Sequence, residues 1–345
     1  MALVGAIPRP IHREHEEAVI VDDAVANAVA KEVPLGSRIK NAETHRKSFW
    51  TDTFRIDVEL PNKTLQSFFL KTSTGENGKS MLEGELEGAK VIHKYTPDGI
   101  PRPIACGSFK SDPNTHFYLC DFVDMKMELP DIGKFSKMLA KLHKKSMSDE
   151  KAPKKFGFDV NTYEGSMYQN ISWCETWEKM YTQRFESFVD QERVSQGPSE
   201  ELDEIVPQFK NKVIPRLLRP LVTHGRSIKP VALHADLWFG NIDTDRATGK
   251  PVYFDPAVFW GHHEYDLQCM WTERYGLSSD WKEAYFRLFS ASEPQDEAKD
   301  RNLLYAISGH FCASTLYPHD KSFRKMAIED MRRLLDKFPN GYQGE

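Results

Sequence analysis

The chain is short of cysteine, of long apolar runs, and of glycine ahead of its first clear strand. Its five cysteines, Cys106, Cys120, Cys174, Cys269 and Cys312, are scattered with no C-x-x-C pair. That spacing suggests neither a zinc site nor a disulfide framework, and it reads as reduced thiols. No apolar stretch approaches the ~20 residues needed to cross a bilayer. Pro8, Pro10, Glu14, Glu16 and Glu17 interrupt any secretory pattern at the start. The expectation is a cytoplasmic protein with no membrane partner. A net charge of −5 gives no general attraction for nucleic acid, so a site for a triphosphate must gather its positive charge locally. With 40% apolar residues, 345 residues can bury a sizeable core.

What is present concentrates between Val231 and Tyr265, VALHADLWFGNIDTDRATGKPVYFDPAVFWGHHEY. An apolar lead-in ends at His234-Ala-Asp236, and Asn241 follows after four residues. A turn at Thr248-Gly249-Lys250 precedes a short strand that ends in Asp255. This is the order and spacing of a kinase catalytic loop, H-x-D-x-x-x-x-N, with a second aspartate beyond it. Phosphoryl transfer needs a carboxylate beside the attacking hydroxyl and oxygen ligands for magnesium. Asp236 suits the first role, Asn241 and Asp255 the second, and His234 is read as fixing the loop. Each residue alone would pass as part of a polar loop or a buried strand; the three together do not.

The rest of the chain supplies a second, independent pattern. Arg13 to Glu32 reads as a surface helix, and Leu35 to Asp52 has no clear period. Phe54, Ile56, Val58 and Leu60 alternate with polar residues as a half-buried strand. After a turn, Leu65 to Leu70 is a second strand closing on Lys71, a position from which a lysine reaches nucleotide phosphates. Thr72 to Lys79 reads as a loop and Ser80 to His93 as a helix. On that helix Glu85 shares the stripe of Leu82, Ala89 and Ile92, while Glu83 and Glu87 lie off it. A carboxylate facing the core needs a partner, and Lys71 is the natural one. Two strands follow, Ile104 to Phe109 and His116 to Leu119. The connector Cys120 to Asp124 reads either as a plain strand end or as a hinge whose backbone at Asp121 and Val123 binds adenine.

Beyond it the periodicity turns helical: Ile132 to Met147, the aromatic Trp173 to Val189, Glu201 to Leu221 broken near Pro207 and Pro215, Tyr265 to Tyr275, Trp281 to Leu288, Asn302 to Thr315 and Lys321 to Phe338. The fold class expected is α+β, with a small N-terminal antiparallel sheet carrying one key helix and a larger helical part. The division is placed at 1–123 for a nucleotide-binding lobe, with 1–34 as an extension, and 124–345 for a catalytic and substrate lobe.

HADLWFGNID followed by YFDPAVFWGHHEYDL resembles the fructosamine and ketosamine kinases, whose pattern is H-G-D-L-W-x-G-N and then D-P-A-x-x-x-G-x-x-E. FFLK, MLEGELEGAKVI and GFDVNTY…WCETWEKMYTQRF match in the same order, so the resemblance runs from about Phe54 to the C-terminus. It implies a two-lobed, protein-kinase-like fold akin to aminoglycoside and choline kinases. The activity implied is transfer of the γ-phosphate of ATP, with Mg2+, to the 3-hydroxyl of a ribulosamine or fructosamine on an amine. The unstable product then releases the amine, so small ketosamines or glycated proteins are the implied partners. By position, Asp236 is the catalytic aspartate, Asn241 and Asp255 the magnesium ligands, Lys71 the phosphate lysine and Glu85 its partner. Trp238, with His234 and His262, is the candidate for contact with the sugar. A kinase of another small alcohol or aminoglycoside, or a nucleotide-binding pseudokinase, is the alternative.

Two departures stand out. Ala235 replaces the glycine between His234 and Asp236, at a cost of about 1 to 2 kcal/mol if that backbone takes a positive φ. The stretch Glu43 to Thr53, in the place of a phosphate-covering loop, contains no glycine, and only Ser48, Thr51 and Thr53 offer hydroxyl donors there.

Overall fold

A computed structural model describes residues 20–47, 50–270 and 276–344. The chain packs as two compact units, one running to Asp131 and including Gly240–Pro256, the other formed by Ile132–Phe239 and Ala257 onward. Each is an element of an α+β fold, an antiparallel sheet in the first and mainly helices in the second.

The first unit is built on five strands, β1 (Arg38–Lys47), β2 (Asp52–Glu59), β3 (Leu65–Thr74), β4 (Pro103–Ser108) and β5 (Thr115–Asp121), in the order β1-β2-β3-β5-β4. All four pairings are antiparallel. Strand alternation sorts the side chains. Ile56, Val58, Phe68, Leu70, Phe117 and Leu119 turn to one face, where Val25 and Val29 of α1 (Asp23–Ala30) cover them. Tyr118, Cys120 and Phe69 turn to the other, against Leu82 and Leu86 of α2 (Gly75–Tyr95).

Three expectations shift here. The helix at the start begins only at Asp23, because the Asp22 carboxylate accepts the Ala24 amide and caps it; Arg13 to residue 19 lies outside the described residues. The segment without period is largely β1, whose polar residues stand on an edge strand and leave no alternation to read. Thr72 to Lys79 is no loop. Pairing with β5 carries β3 to Thr74, and α2 starts at Gly75, whose φ of 74° makes the corner.

The first unit also keeps residues 124–131, because that segment pairs with the excursion 240–256. Met125 bridges Asp245, the Lys126 amide donates to Thr244 O and the Arg246 amide to Asp124 O. The border therefore falls after Asp131 rather than after residue 123.

The second unit contains α3 (Ile132–Ser148), α4 (Trp177–Gln196), α5 (Glu200–Gln208), α6 (Ile214–Leu218), α7 (Ser279–Phe286), α8 (Ala298–Leu316) and α9 (Ser322–Lys337). Thr176 caps α4, so the aromatic helix starts four residues later than its tryptophans suggest. The third segment does not break at its prolines: Pro207 lies within α5 and Pro215 in the first turn of α6, and between them the helix only widens to a π turn at Phe209–Val213. Residues 263–270 form a tight 3-10 run in place of the expected helix, whose remainder, 271–275, lies outside the described residues. One core unites Trp177, Tyr181, Phe185 and Phe188 with Tyr265, Tyr305 and Phe311. No helix among the described residues is long and apolar enough to cross a membrane.

Candidate functional site

In the first unit the period-two rule puts Lys71 on the same sheet face as Phe69, which is the face that α2 covers. The helix stripe puts Glu85 opposite it. Lys71 Nζ lies 2.7 Å from both oxygens of Glu85. It also lies 2.7 Å from Asp255 Oδ1, so one buried ammonium serves two carboxylates. Burial disfavours the charge on Lys71, but Asp255 and Glu85 outweigh it and hold the ammonium above its ordinary range. Glu85 moves up, because burial and the neighbouring Asp255 charge together exceed the pull of Lys71. Glu83 is exposed and Glu87 pairs with Lys90, as their place off the stripe implies.

Asp255 reaches Lys71 on a short ribbon, Ile242–Thr244 antiparallel to Pro251–Tyr253. The ribbon is tied to the end of α2: Tyr253 donates its amide to Gly99 O, and its hydroxyl is hydrogen-bonded to Thr96. Opposite the ribbon's end, the Phe254 amide donates to Asn241 O at 3.1 Å. Asn241 and Asp255 therefore flank one end of a single two-stranded element, and Asp255 turns out of it with φ 52°. A carboxylate and an amide oxygen are hard donors of the kind magnesium takes, so the two residue types suit that ion.

The Asp121 amide donates to Arg102 O, and Arg102 holds the Asp121 carboxylate through two bonds of 3.0 Å, which engages the N–H of that residue and leaves its carbonyl outside the bond. Val123 follows it in the connector, half-buried. The described part of the glycine-free stretch is the end of β1 and the start of β2, paired antiparallel up to Lys47 and Asp52. Thr53 Oγ1 is taken up by Arg46 O at 2.6 Å, and Thr51 Oγ1 is buried with no partner among the described residues. Ser48 lies outside the described residues.

In the second unit the loop after Val231–Leu233 carries His234, Ala235 and Asp236. The Asp236 amide donates to His234 Nδ1 at 3.3 Å, so His234 fixes the loop from within while fully buried. Ala235 has φ 68°, the left-handed conformation that a glycine would take freely. Asp266 holds it there: Oδ2 accepts the His234 amide at 3.0 Å and Oδ1 the Ala235 amide at 2.7 Å. Gln268 Nε2 donates to Ala235 O from the other side. The Ala257 amide donates to His234 O, and its own carbonyl accepts from Gln169 and Thr162. None of Asp266, Gln268, Gln169 and Thr162 was singled out by spacing. Asp266 does stand two residues after Glu264 in the same motif, which is the one signal that pointed to it.

Trp238 is half-buried and packs edge-on against Phe239, with centroids 4.9 Å apart. Phe239 in turn closes on Gly276, where an added Cβ would come within 2.5 Å of its ring. His262 does not stand where a sugar could meet it. It is fully buried, with Nδ1 on the Tyr305 hydroxyl and Nε2 on Ser292 Oγ. Burial keeps it neutral.

Residues 36–337 match the family model described as fructosamine kinase. The chain is 30% identical over 275 residues, 78% of its length and 73% of the relative's, to a chloroplastic protein-ribulosamine 3-kinase of Oryza sativa subsp. japonica. It is 26% identical over 260 residues to ketosamine-3-kinase of Mus musculus, covering 69% of this chain and 79% of that one. Among solved structures, a Thermobifida fusca protein assigned as a fructosamine-3-kinase superposes with a TM-score of 0.69 at 18% identity, over 92% of this chain and 99% of that one. The aminoglycoside phosphotransferase APH(4)-Ia, in a ternary complex with AMP-PNP and hygromycin B, superposes with a TM-score of 0.59 at 12% identity, over 91% of this chain and 98% of that one.

Proposed function

The chain belongs to the fructosamine kinase family, and from that premise we propose that it transfers the γ-phosphoryl group of ATP to the 3-hydroxyl of a ketosamine. The relatives named as ribulosamine and ketosamine 3-kinases support the substrate class. The observation that carries the reading is the single ammonium of Lys71 held between Glu85 and Asp255. A buried ion pair with no ligand to serve gains little over apolar packing, whereas a fixed cation suits a phosphate.

In this reading the substrate hydroxyl oxygen forms the new bond to the γ-phosphorus while the bond to the bridging β–γ oxygen breaks and ADP leaves. Asp236 orients that hydroxyl and accepts its proton, and the Asp266 clamp keeps the loop from drifting. Lys71 steadies the nucleotide phosphates, and Glu85 keeps Lys71 aimed. Asn241 and Asp255 are the residues that would hold magnesium, which supplies neutralisation of the phosphate charge when bound. The 3-phosphate then breaks down with release of the amine, so glycated protein amines as well as small ketosamines are substrates.

The alternative acceptor is an aminoglycoside, on the strength of the shared fold. Coupled ATP consumption with a ribulosamine, a fructosamine and an aminoglycoside separates the two. Turnover of either ketosamine above the aminoglycoside is expected. Turnover of the aminoglycoside alone rejects the proposal, and magnesium-dependent ATP binding with no turnover of any acceptor assigns the chain to the pseudokinases.

A further inference from the structure

Behind the Asp236 loop, in the second unit, runs a line of polar side chains that starts at Trp177 and ends at Asp266, all of them buried except the half-buried Ser292. Trp177 Nε1 is 2.9 Å from the Tyr305 hydroxyl, which is 2.9 Å from His262 Nδ1. His262 Nε2 is 2.8 Å from Ser292 Oγ, which is 3.2 Å from His263 Nε2. His263 Nδ1 is 3.0 Å from the Tyr285 hydroxyl, which is 2.7 Å from His143 Nδ1. His143 Nε2 is 2.9 Å from Asp266 Oδ2.

The two ends fix the direction of every bond between them. An indole N–H can only donate and a carboxylate oxygen can only accept. His143 must therefore carry its proton on Nε2, which leaves Nδ1 to accept from Tyr285. The Tyr285 oxygen then accepts from His263 Nδ1–H, and His263 Nε2 accepts from the Ser292 hydroxyl. Ser292 accepts from His262 Nε2–H, and His262 Nδ1 accepts from Tyr305, whose oxygen takes the Trp177 proton. Each hydroxyl gives one bond and receives one, and no donor or acceptor is left over. Reversing any ring strands the Tyr305 proton at one end or sets a bare nitrogen against Asp266 at the other. Burial holds His262 and His263 neutral, as the pattern requires.

The line is also mechanically fixed. The Ser292 amide donates to Glu264 Oε1 and its carbonyl accepts from Arg301, which is itself paired with Glu264. His263 stacks on Phe289 at 4.3 Å with rings 7° apart.

We propose that this one-way chain of hydrogen bonds orients Asp266, and through its two amide bonds sets the strained loop that carries Asp236. His143, His263, His262, Tyr285 and Ser292 are then positioning residues for phosphoryl transfer. The functional half of the proposal rests on the reading of Asp236 given above. Without the Tyr285 hydroxyl, His143 Nδ1 loses its donor and His263 Nδ1–H its acceptor. Asp266 alone then holds the His143 ring, which is free to shift, and the clamp loosens.

Nitrogen-15 NMR of the imidazoles in the intact wild-type chain reads the tautomers without reference to activity. His143 and His262 are expected protonated on Nε2 and His263 on Nδ1; the reverse set, or a mixture, overturns the chain. Tyr285→Phe and Ser292→Ala are each expected to lower kcat on a ketosamine about 2- to 10-fold with KM for ATP unchanged. The double variant is expected to fall little further, since one break already cuts Asp266 off from the support of the far end of the line. Unchanged kcat in whichever variant folds, or a loss confined to Tm, overturns the positioning role. A wild type with the expected tautomers and no ketosamine turnover rejects the kinase reading and leaves the chain of bonds standing.

Discussion

Lys71 and Asp255 stand 184 residues apart in the chain, and their side chains meet at 2.7 Å. The same ammonium binds Glu85 through both oxygens, so a buried lysine and the carboxylates of Glu85 and the exposed Asp255 form one set with an excess of one negative. The two partners of Lys71 are for that reason not equivalent to it.

Lys71→Met leaves two carboxylates facing each other without a counter-charge. A loss of about 3 kcal/mol in unfolding free energy is expected from breaking a buried pair at its cation. Glu85→Gln removes the excess negative charge and keeps the Lys71–Asp255 pair, so it should cost clearly less. Urea unfolding of the two variants tests the order; equal losses would mean that Asp255 does not share the ammonium.

Asp236→Asn keeps the shape of the loop and removes the proton acceptor. Nucleotide binding, read by thermal shift with ATP, should be retained, while kcat falls by about 10²- to 10⁴-fold. Most of the turnover surviving in this variant would remove Asp236 from the chemistry.

Ala235 sits at φ 68° and is fully buried. Ala235→Gly relieves about 1 to 2 kcal/mol of left-handed strain. It also gives up a buried methyl and loosens the unfolded chain, together about 1 to 2 kcal/mol. The two sides cancel, and the variant should lie within about 1 kcal/mol of wild type. Ala235→Val adds a β-branch where φ is positive and space is closed, and a loss above about 2 kcal/mol is expected. Chemical denaturation of the pair reads the strain directly, and a harmless valine would show that the loop is not left-handed in solution.

Asp22 accepts bonds from the amides of Ala24, Lys110 and Ser111 and from the Ser111 hydroxyl. Burial works against its charge, but Ser111, Lys110 and Ala24 prevail and hold the carboxyl well below its usual value of 3.8. A depressed pKa contributes stability that is complete above the unfolded value and fades as the pH falls below it. Asp22→Asn should therefore flatten the fall in unfolding free energy between pH 5 and about pH 3 while leaving kcat at neutral pH unchanged. A curve parallel to wild type would show that Asp22 is not the group being titrated.

The pairing of Lys71 with Glu85 was legible because both periods are short-range. Alternation along β3 gives the face of Lys71, and the 3.6-residue repeat of α2 gives the face of Glu85. The β1–β2 hairpin was not legible, because an edge strand with polar residues on both faces carries no period. The placement of His262 failed for a related reason. Its motif neighbours suggested a ligand contact, but its burial is set by α8 and by Ser292, both remote in sequence.

Residue order alone determined the family and the α+β division, and it named the side chains to which the proposal gives phosphoryl transfer, since spacing and periodicity are written into the chain. Three things were decided only by the tertiary structure. Asp255 shares the lysine of Glu85, Asp266 grips the strained turn at Ala235, and a tryptophan and an aspartate far apart dictate the protons on three histidines. Each depends on donors and acceptors meeting across long separations inside a buried space, where an unmatched polar group is costly, and a linear sequence does not say which of them will meet.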